Sequence, residues 1–199
     1  GGYLVCGLTK SNTLDGEYDG IAYKLDSMGN LEWTFQDKNI YPDNPLYFEN
    51  STDGGYIGVG FDADSAHDNG SGDYDYFGQP FSVKIDSNGD EVWRKHYTLP
   101  YGQGTISGVW QIRPTLDGNY VILGMHGRGM TDSEIPYKGR GFLMKITPDG
   151  DSLWYREYKK LLNENTYNYM RDVAVHPDGG YVMTGFLWAV GAPDTGYQD

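Results

Sequence analysis

Three ten-residue stretches share one frame: Lys24-Leu25-Asp26-Ser27-Met28-Gly29-Asn30-Leu31-Glu32-Trp33, Lys84-Ile85-Asp86-Ser87-Asn88-Gly89-Asp90-Glu91-Val92-Trp93 and Lys145-Ile146-Thr147-Pro148-Asp149-Gly150-Asp151-Ser152-Leu153-Trp154. Lys, Gly and Trp recur 60 and then 61 residues apart, and Lys always precedes Trp by nine. A second frame keeps the same period: Gly1-Gly2-Tyr3, Asp53-Gly54-Gly55-Tyr56, Asp117-Gly118-Asn119-Tyr120 and Asp178-Gly179-Gly180-Tyr181. Two signals in one phase mean a chain built of structural repeats, each burying its apolar face on its neighbours.

Length variation divides the repeat, because insertions collect in loops while strands and tight turns keep their spacing. The Lys-to-Trp frame never varies, whereas Tyr of the second frame precedes Lys by 21, 28 and 25 residues. Trp precedes the next Asp-Gly by 20, 24 and 24. Each unit therefore has two tight connections and two variable ones. Asp53-Gly54, Asp117-Gly118, Asp178-Gly179, Asn88-Gly89 and Asp149-Gly150 are hairpin turns lying between apolar runs. Around them the third unit reads as four strands, near Gly108 to Arg113, Asn119 to Met125, Gly141 to Thr147 and Ser152 to Tyr158. The second of these is apolar on both faces (Tyr120, Val121, Ile122, Leu123), as a strand between two neighbouring sheets must be.

Composition narrows the function classes. Eighteen Tyr and 29 Gly in 199 residues suit strands and tight turns. A net charge of -13 repels a phosphate backbone, so nucleic acid is excluded as an expected partner. No apolar run reaches the 18 or so residues of a helical membrane span. The single Cys6 has no internal disulfide partner and reads as a buried, inert thiol.

A four-stranded antiparallel meander repeating about every 60 residues is the mark of a β-propeller blade. His176-Pro177-Asp178-Gly179-Gly180-Tyr181-Val182-Met183-Thr184-Gly185 and Lys145 to Trp154 resemble the Asp-Gly-Gly-Tyr and Lys-x-Asp-x-x-Gly-x-x-x-Trp propeller repeats of large secreted and cell-surface proteins of Bacteroidota-type bacteria, many exported by type IX secretion. The resemblance spans nearly the whole chain and implies an extracellular or cell-surface location. It predicts one all-β propeller region over 1–199: a partial blade at 1–46, full blades at 47–107 and 108–169, and a partial blade at 170–199. That is thirteen strands, fewer than closed propellers of about 4 to 8 blades contain. The expectation is an excerpt of a larger propeller, flanked at both ends by remaining blades of the same chain or by other subunits.

In such a meander the variable connections share one end of the strands, and function is expected there. They are read as Thr9 to Asp19, Asp37 to Pro45, Asp62 to Gln79, Thr98 to Ser107, His126 to Gly139, Lys160 to Tyr169 and the tail from Gly191. A protein or glycan partner would meet Tyr74, Tyr76, Tyr101 and Tyr137, and for sugar stacking also Tyr41, Tyr47 and Tyr167. The stretch from Asp62 to Asp75 alternates carboxylates with small residues, so Asp62, Asp64, Asp68 and Asp73 are the candidate ligands of a Ca²⁺ ion. Its glycines, Gly70 and Gly72, fall too late for an EF-hand, and a solvated acidic loop is the competing reading.

Asp86 to Asp90 looks like a calcium loop by eye, yet a hairpin turn accounts for it, and the third copy carries Thr147 in place of the Asp. The repeated Trp33, Trp93 and Trp154 are expected between sheets, Trp110 and Trp188 in the core, and Lys24, Lys84 and Lys145 in ion pairs. The four His residues have no metal-ligand spacing, and no catalytic sequence motif is present. The leading expectation is a non-enzymatic scaffold or binding module; the alternative is a lectin or a glycan-active enzyme using carboxylates of the same face.

Overall fold

A computed structural model of the chain describes residues 1–10, 18–37, 46–68, 74–99, 106–128, 140–158 and 166–189, with the side chains of 66–68, 74–76, 106–107, 126–128, 166–168 and 187–189 outside the description. Thirteen strands and no helix are found among the described residues. The first sheet holds β1 (Tyr3–Thr9), β2 (Asp19–Leu25) and β3 (Leu31–Gln36). The second holds β4 (Tyr47–Asn50), β5 (Tyr56–Asp68), β6 (Tyr74–Ile85) and β7 (Glu91–His96). The third holds β8 (Ile106–Pro114), β9 (Tyr120–Arg128), β10 (Arg140–Ile146) and β11 (Ser152–Tyr158), and the fourth β12 (Thr166–Val175) and β13 (Tyr181–Ala189). Every pairing is antiparallel between consecutive strands, so each sheet is a meander.

One turn geometry serves all six tight connections. In the second sheet Asp86 N donates to Asp90 O at 2.9 Å and Gly89 N to Asp86 O at 3.2 Å; Thr147, Gly150 and Asp151 repeat the pattern in the third. The glycine of each turn lies in the left-handed region, φ 89° at Gly89 and 80° at Gly150, where a side chain is strained. A bulge follows: Lys84 faces Trp93, Ile85 faces Glu91, and Val92 is the extra residue. Asp86 Oδ1 caps the turn by accepting from Asn88 N (2.8 Å) and Asp90 N (3.0 Å). Thr147 Oγ1 does the same for Asp151 N at 3.0 Å. The Asp-to-Thr change thus keeps the acceptor, and the turn needs no metal.

The two sequence frames are in phase because they touch. Lys84 Nζ, nearly buried, reaches back across the sheet to Asp53 Oδ1 at 2.6 Å, and Lys145 Nζ reaches Asp117 Oδ2 at 2.6 Å. Lys24 pairs instead with Glu32, the bulge residue of its own hairpin, at 2.6 Å. A strand lysine this short of solvent requires such a partner.

The sheets pack face to face in chain order. Ala22 and Phe35 of the first sheet meet Phe81, Val83 and Ile85 of the second. Ile57 and Val59 of the second meet Ile112, Ile122, Phe142 and Met144 of the third. Val121, Leu123 and Leu143, on the other face of the third, meet Val173 and Met183 of the fourth. Strand β9 is apolar on both faces from Tyr120 to Leu123 because its alternate residues serve two different cores. The repeated Trp33, Trp93 and Trp154 are half-buried rather than enclosed, each lying across a sheet boundary. Cys6 is half-buried and free, and burial pushes its thiol up to about 11.

The stretch Asp62 to Gln79, expected as a loop, is largely strand. β5 and β6 stay paired from Tyr56 opposite Ile85 out to Asp68 opposite Tyr74, leaving only 69–73 between them. Ladder hydrogen bonds satisfy the backbone of a polar segment as well as an apolar one, and Tyr74, Tyr76 and Phe77 on the return strand favour extension. Similarly, β12 begins at Thr166, inside the expected Lys160 to Tyr169 connection.

Candidate functional site

The variable connections leave each sheet at the end opposite its tight turns, and the expected ligand-facing residues divide by where they lie. Tyr41, Tyr101 and Tyr137 fall outside the described residues. Tyr74 and Tyr76 are in β6, opposite Asp68 and Ala66, and Tyr167 is in β12; the side chains of all three are outside the description. Tyr47 departs from its expectation: it opens β4, half-buried, packed on the core between the second and third sheets.

Of the four candidate calcium ligands, Asp73 and the side chain of Asp68 lie outside the described residues. Asp64 is exposed and accepts a hydrogen bond from Ser65 Oγ at 3.1 Å. Asp62 is already engaged: its Oδ2 lies 3.4 Å from Arg94 Nη1 and pairs with His96 Nε2, while Oδ1 is buried with no hydrogen-bond partner among the described residues. Among the described residues no three or more His, Cys, Asp or Glu side chains are arranged to hold a metal.

Asp62 belongs to a charged clasp between the first and second sheets. Arg94 Nη2 meets Asp37 Oδ1 at 2.9 Å and Glu91 Oε2 at 3.0 Å, and the guanidinium stands 4.4 Å over the Phe81 ring. Asp37, almost wholly buried at the end of β3, is pushed up to about 6, first by burial and then by the charge of Asp62, with Arg94 pulling the other way. A second clasp joins three sheets: Arg113 of β8 reaches Glu49 of β4 at 2.9 Å and Asp172 of β12 at 3.2 Å.

A third cluster had no counterpart among the expected sites. Trp110 and Arg171 each stand eight residues before a turn glycine, Gly118 and Gly179, and each sits at a bulge. Pairing skips from Val109 opposite Gly124 to Gln111 opposite Leu123, and from Met170 opposite Gly185 to Asp172 opposite Thr184. The Arg171 guanidinium lies 5.2 Å from the Trp110 ring, 5.7 Å from Tyr169 and 5.6 Å from Phe186. Tyr169 and Phe186 stack at 4.9 Å with their planes 8° apart. Trp110 is therefore not simply core: the bulge takes it out of alternation, and it is half-buried against a cation. The matching offset from the turn glycine was the available signal; the second unit has Leu46 there, fully buried.

No helix among the described residues is long and apolar enough to cross a membrane. No family model matches the chain, and no curated protein is significantly similar to it.

Proposed function

We propose that the chain is a run of β-propeller blades, secreted or displayed at a cell surface, that binds a partner at the sheet ends bearing the variable connections and catalyses no reaction. The observation that carries this reading is the repeated interlock between consecutive meanders. Trp33 packs edge-on to Tyr56 of the following sheet (5.7 Å), and Trp154 to Tyr181 (5.9 Å). A constant interface between successive units is what turns a series of sheets into a blade array, and it leaves sequence freedom to the connections at the other end. Binding is favoured over hydrolysis because the carboxylates brought together between the sheets are tied into ion pairs: Asp37 and Asp62 with Arg94, Glu49 and Asp172 with Arg113, Glu157 with Arg140. A catalytic pair would need both carboxyl groups directed at a substrate.

The test is a screen of the immobilised protein against arrays of glycans and extracellular proteins. A ligand lost on Tyr76→Ala or Tyr101→Ala but kept on Asn88→Ala, at a tight turn, supports the reading. Turnover of a ligand, or binding sensitive only to the tight-turn change, overturns it. Solution scattering incompatible with sheets arranged about a common axis would remove the propeller. The glycan-binding alternative has its own support in the aromatic cluster around Arg171.

A further inference from the structure

The Arg94 guanidinium faces more negative charge than it can balance. Its Nη1 and Nη2 lie 3.2 Å and 2.9 Å from the two oxygens of Asp37, and its Nε and Nη2 lie 3.3 Å and 3.0 Å from those of Glu91. Nη1 also reaches Asp62 Oδ2 at 3.4 Å. A guanidinium has five N–H donors, so the fork is fully used, and Asp62 Oδ1 stays buried with no donor among the described residues. Three carboxylates thus share one fixed positive charge. His96, on Asp62 Oδ2, adds a second only when it is protonated. From β6 the clasp meets the uncharged Phe81 ring, and Asp19 of β2, the other buried carboxylate at this end of the first sheet, is taken by Gln36 Nε2 at 2.7 Å.

The clasp crosses a sheet boundary, since Asp37 directly follows β3 while Asp62 and Arg94 lie on β5 and β7. The next boundary is built differently at the matching positions. Four residues after the repeated Trp stand Asp37 in the first unit and Tyr97 in the second, and the place of Arg94, next to Trp93, is held by Tyr155 in the third. Tyr97 is buried, its hydroxyl donates to Gly150 O at 2.9 Å, and burial pushes it up to about 12. It therefore stays neutral where Asp37 titrates.

We propose that the Arg94 clasp is a pH-sensitive latch that fastens the first sheet to the second in acid and slackens toward neutral pH. The latch goes beyond the partner-binding reading and does not depend on it. The proton that matters sits on Asp37, which is almost wholly buried. With it two ionised carboxylates share Arg94; without it three do, where little solvent screens them. Raised from its usual 3.8 to about 6, Asp37 favours the closed latch when protonated, so that contribution is complete below pH 3.8 and is lost as pH rises through about 6. The opened boundary, with Asp37 in water, should become about tenfold more populated between about pH 5 and about pH 7.5.

Cys6, the chain's single cysteine, reports on this boundary, because its thiol on β1 packs in the core between the first two sheets and is hydrogen-bonded with the Phe48 backbone of β4. Its labelling by 4,4′-dithiodipyridine would be timed in the intact protein at about pH 5 and about pH 7.5. Dividing each rate by that of the urea-unfolded chain at the same pH removes the thiol's own titration. The normalised rate should rise about tenfold in the unaltered protein and stay nearly flat in Asp37→Asn, which cannot ionise. Val109→Cys combined with Cys6→Ser, reporting on the core between the second and third sheets, should show no rise. Equal normalised rates at both pH values in the unaltered protein would overturn the latch. So would a rise of the same size at position 109, which would make the opening global, or a rise kept in Asp37→Asn and lost in His96→Gln, which would assign the titration to the imidazole.

Discussion

The indole of Trp33 lies on Gly89 of the following sheet, so close that a Cβ on that glycine would stand 2.7 Å from the ring, and its Nε1 donates to Ser87 O at 2.9 Å. Trp93 stands in the same relation to Gly150, again at 2.7 Å. Each glycine meets two demands at once, a left-handed backbone and a seat for the preceding unit's tryptophan. That double demand is why Gly and Trp share one period.

The seat can be separated from the backbone. Gly118 also has positive φ, 79°, but a Cβ there would meet nothing within 4 Å. Gly118→Ala should cost about 1 to 2 kcal/mol from conformation alone. Gly89→Ala and Gly150→Ala should cost about 1 to 3 kcal/mol more, from overpacking against tryptophan. Urea unfolding of the three variants decides this, and equal losses would dismiss the seat.

Trp93→Ala should destabilise by about 3 kcal/mol, the low end for a large aromatic because the ring is only half-buried. In that background Gly150→Ala should lose its steric part and retain only the conformational one. A double-mutant cycle with additive losses would mean that the two residues are energetically independent.

Asp53 is held down to about 2 from its usual 3.8, chiefly by the hydrogen bond from Lys84. A lowered carboxylate contributes stability above its unfolded value and loses it as pH falls through the folded one. Unfolding free energy should therefore drop between about pH 4 and pH 2, and Asp53→Asn should flatten that drop. At neutral pH the same substitution should cost about 1 kcal/mol or less, since the carboxylate is largely exposed.

Asp37 has the opposite sign. Raised to about 6 by burial and by Asp62, it favours the fold when protonated, so its contribution is complete below pH 3.8 and is lost as pH rises through about 6. Asp37→Asn should reduce the change in melting temperature over that window. The other charges facing it are Arg94 and Glu91, with His96 beyond on Asp62, and a profile unaltered by the substitution would place the titration elsewhere.

Chelating calcium should leave the melting temperature unchanged, because a cation at Asp62 would have to displace Arg94 and His96. A fall of several degrees on chelation, restored by added Ca²⁺, would revive a metal site built on Asp62, Asp64, Asp68 and Asp73.

Turns, strand positions and repeat period were readable in the sequence because they rest on local chemistry. Gly89 and Gly150 are fixed by backbone sterics, Asp86 and Thr147 by a side chain bonding its own turn, and the apolar run Tyr120 to Leu123 by two-sided burial. The reach of β5 and β6 beyond Asp62 was not readable, since polar residues pair in a ladder as well as they solvate in a loop. The Arg94 clasp was hidden for another reason: Asp62 and Arg94 lie on β5 and β7 and Asp37 just past the end of β3 in the neighbouring sheet, and no spacing connects them. The same holds for Trp110 and Arg171, which are the extra residues of two bulges and are neither glycine nor proline. By itself the sequence determined what each short segment does with its own backbone. Which charges and rings meet was decided only when the sheets stacked, because contacts such as Arg94–Asp62, Arg94–Asp37 and Arg113–Glu49 cross chain separations of 32, 57 and 64 residues that local chemistry does not span.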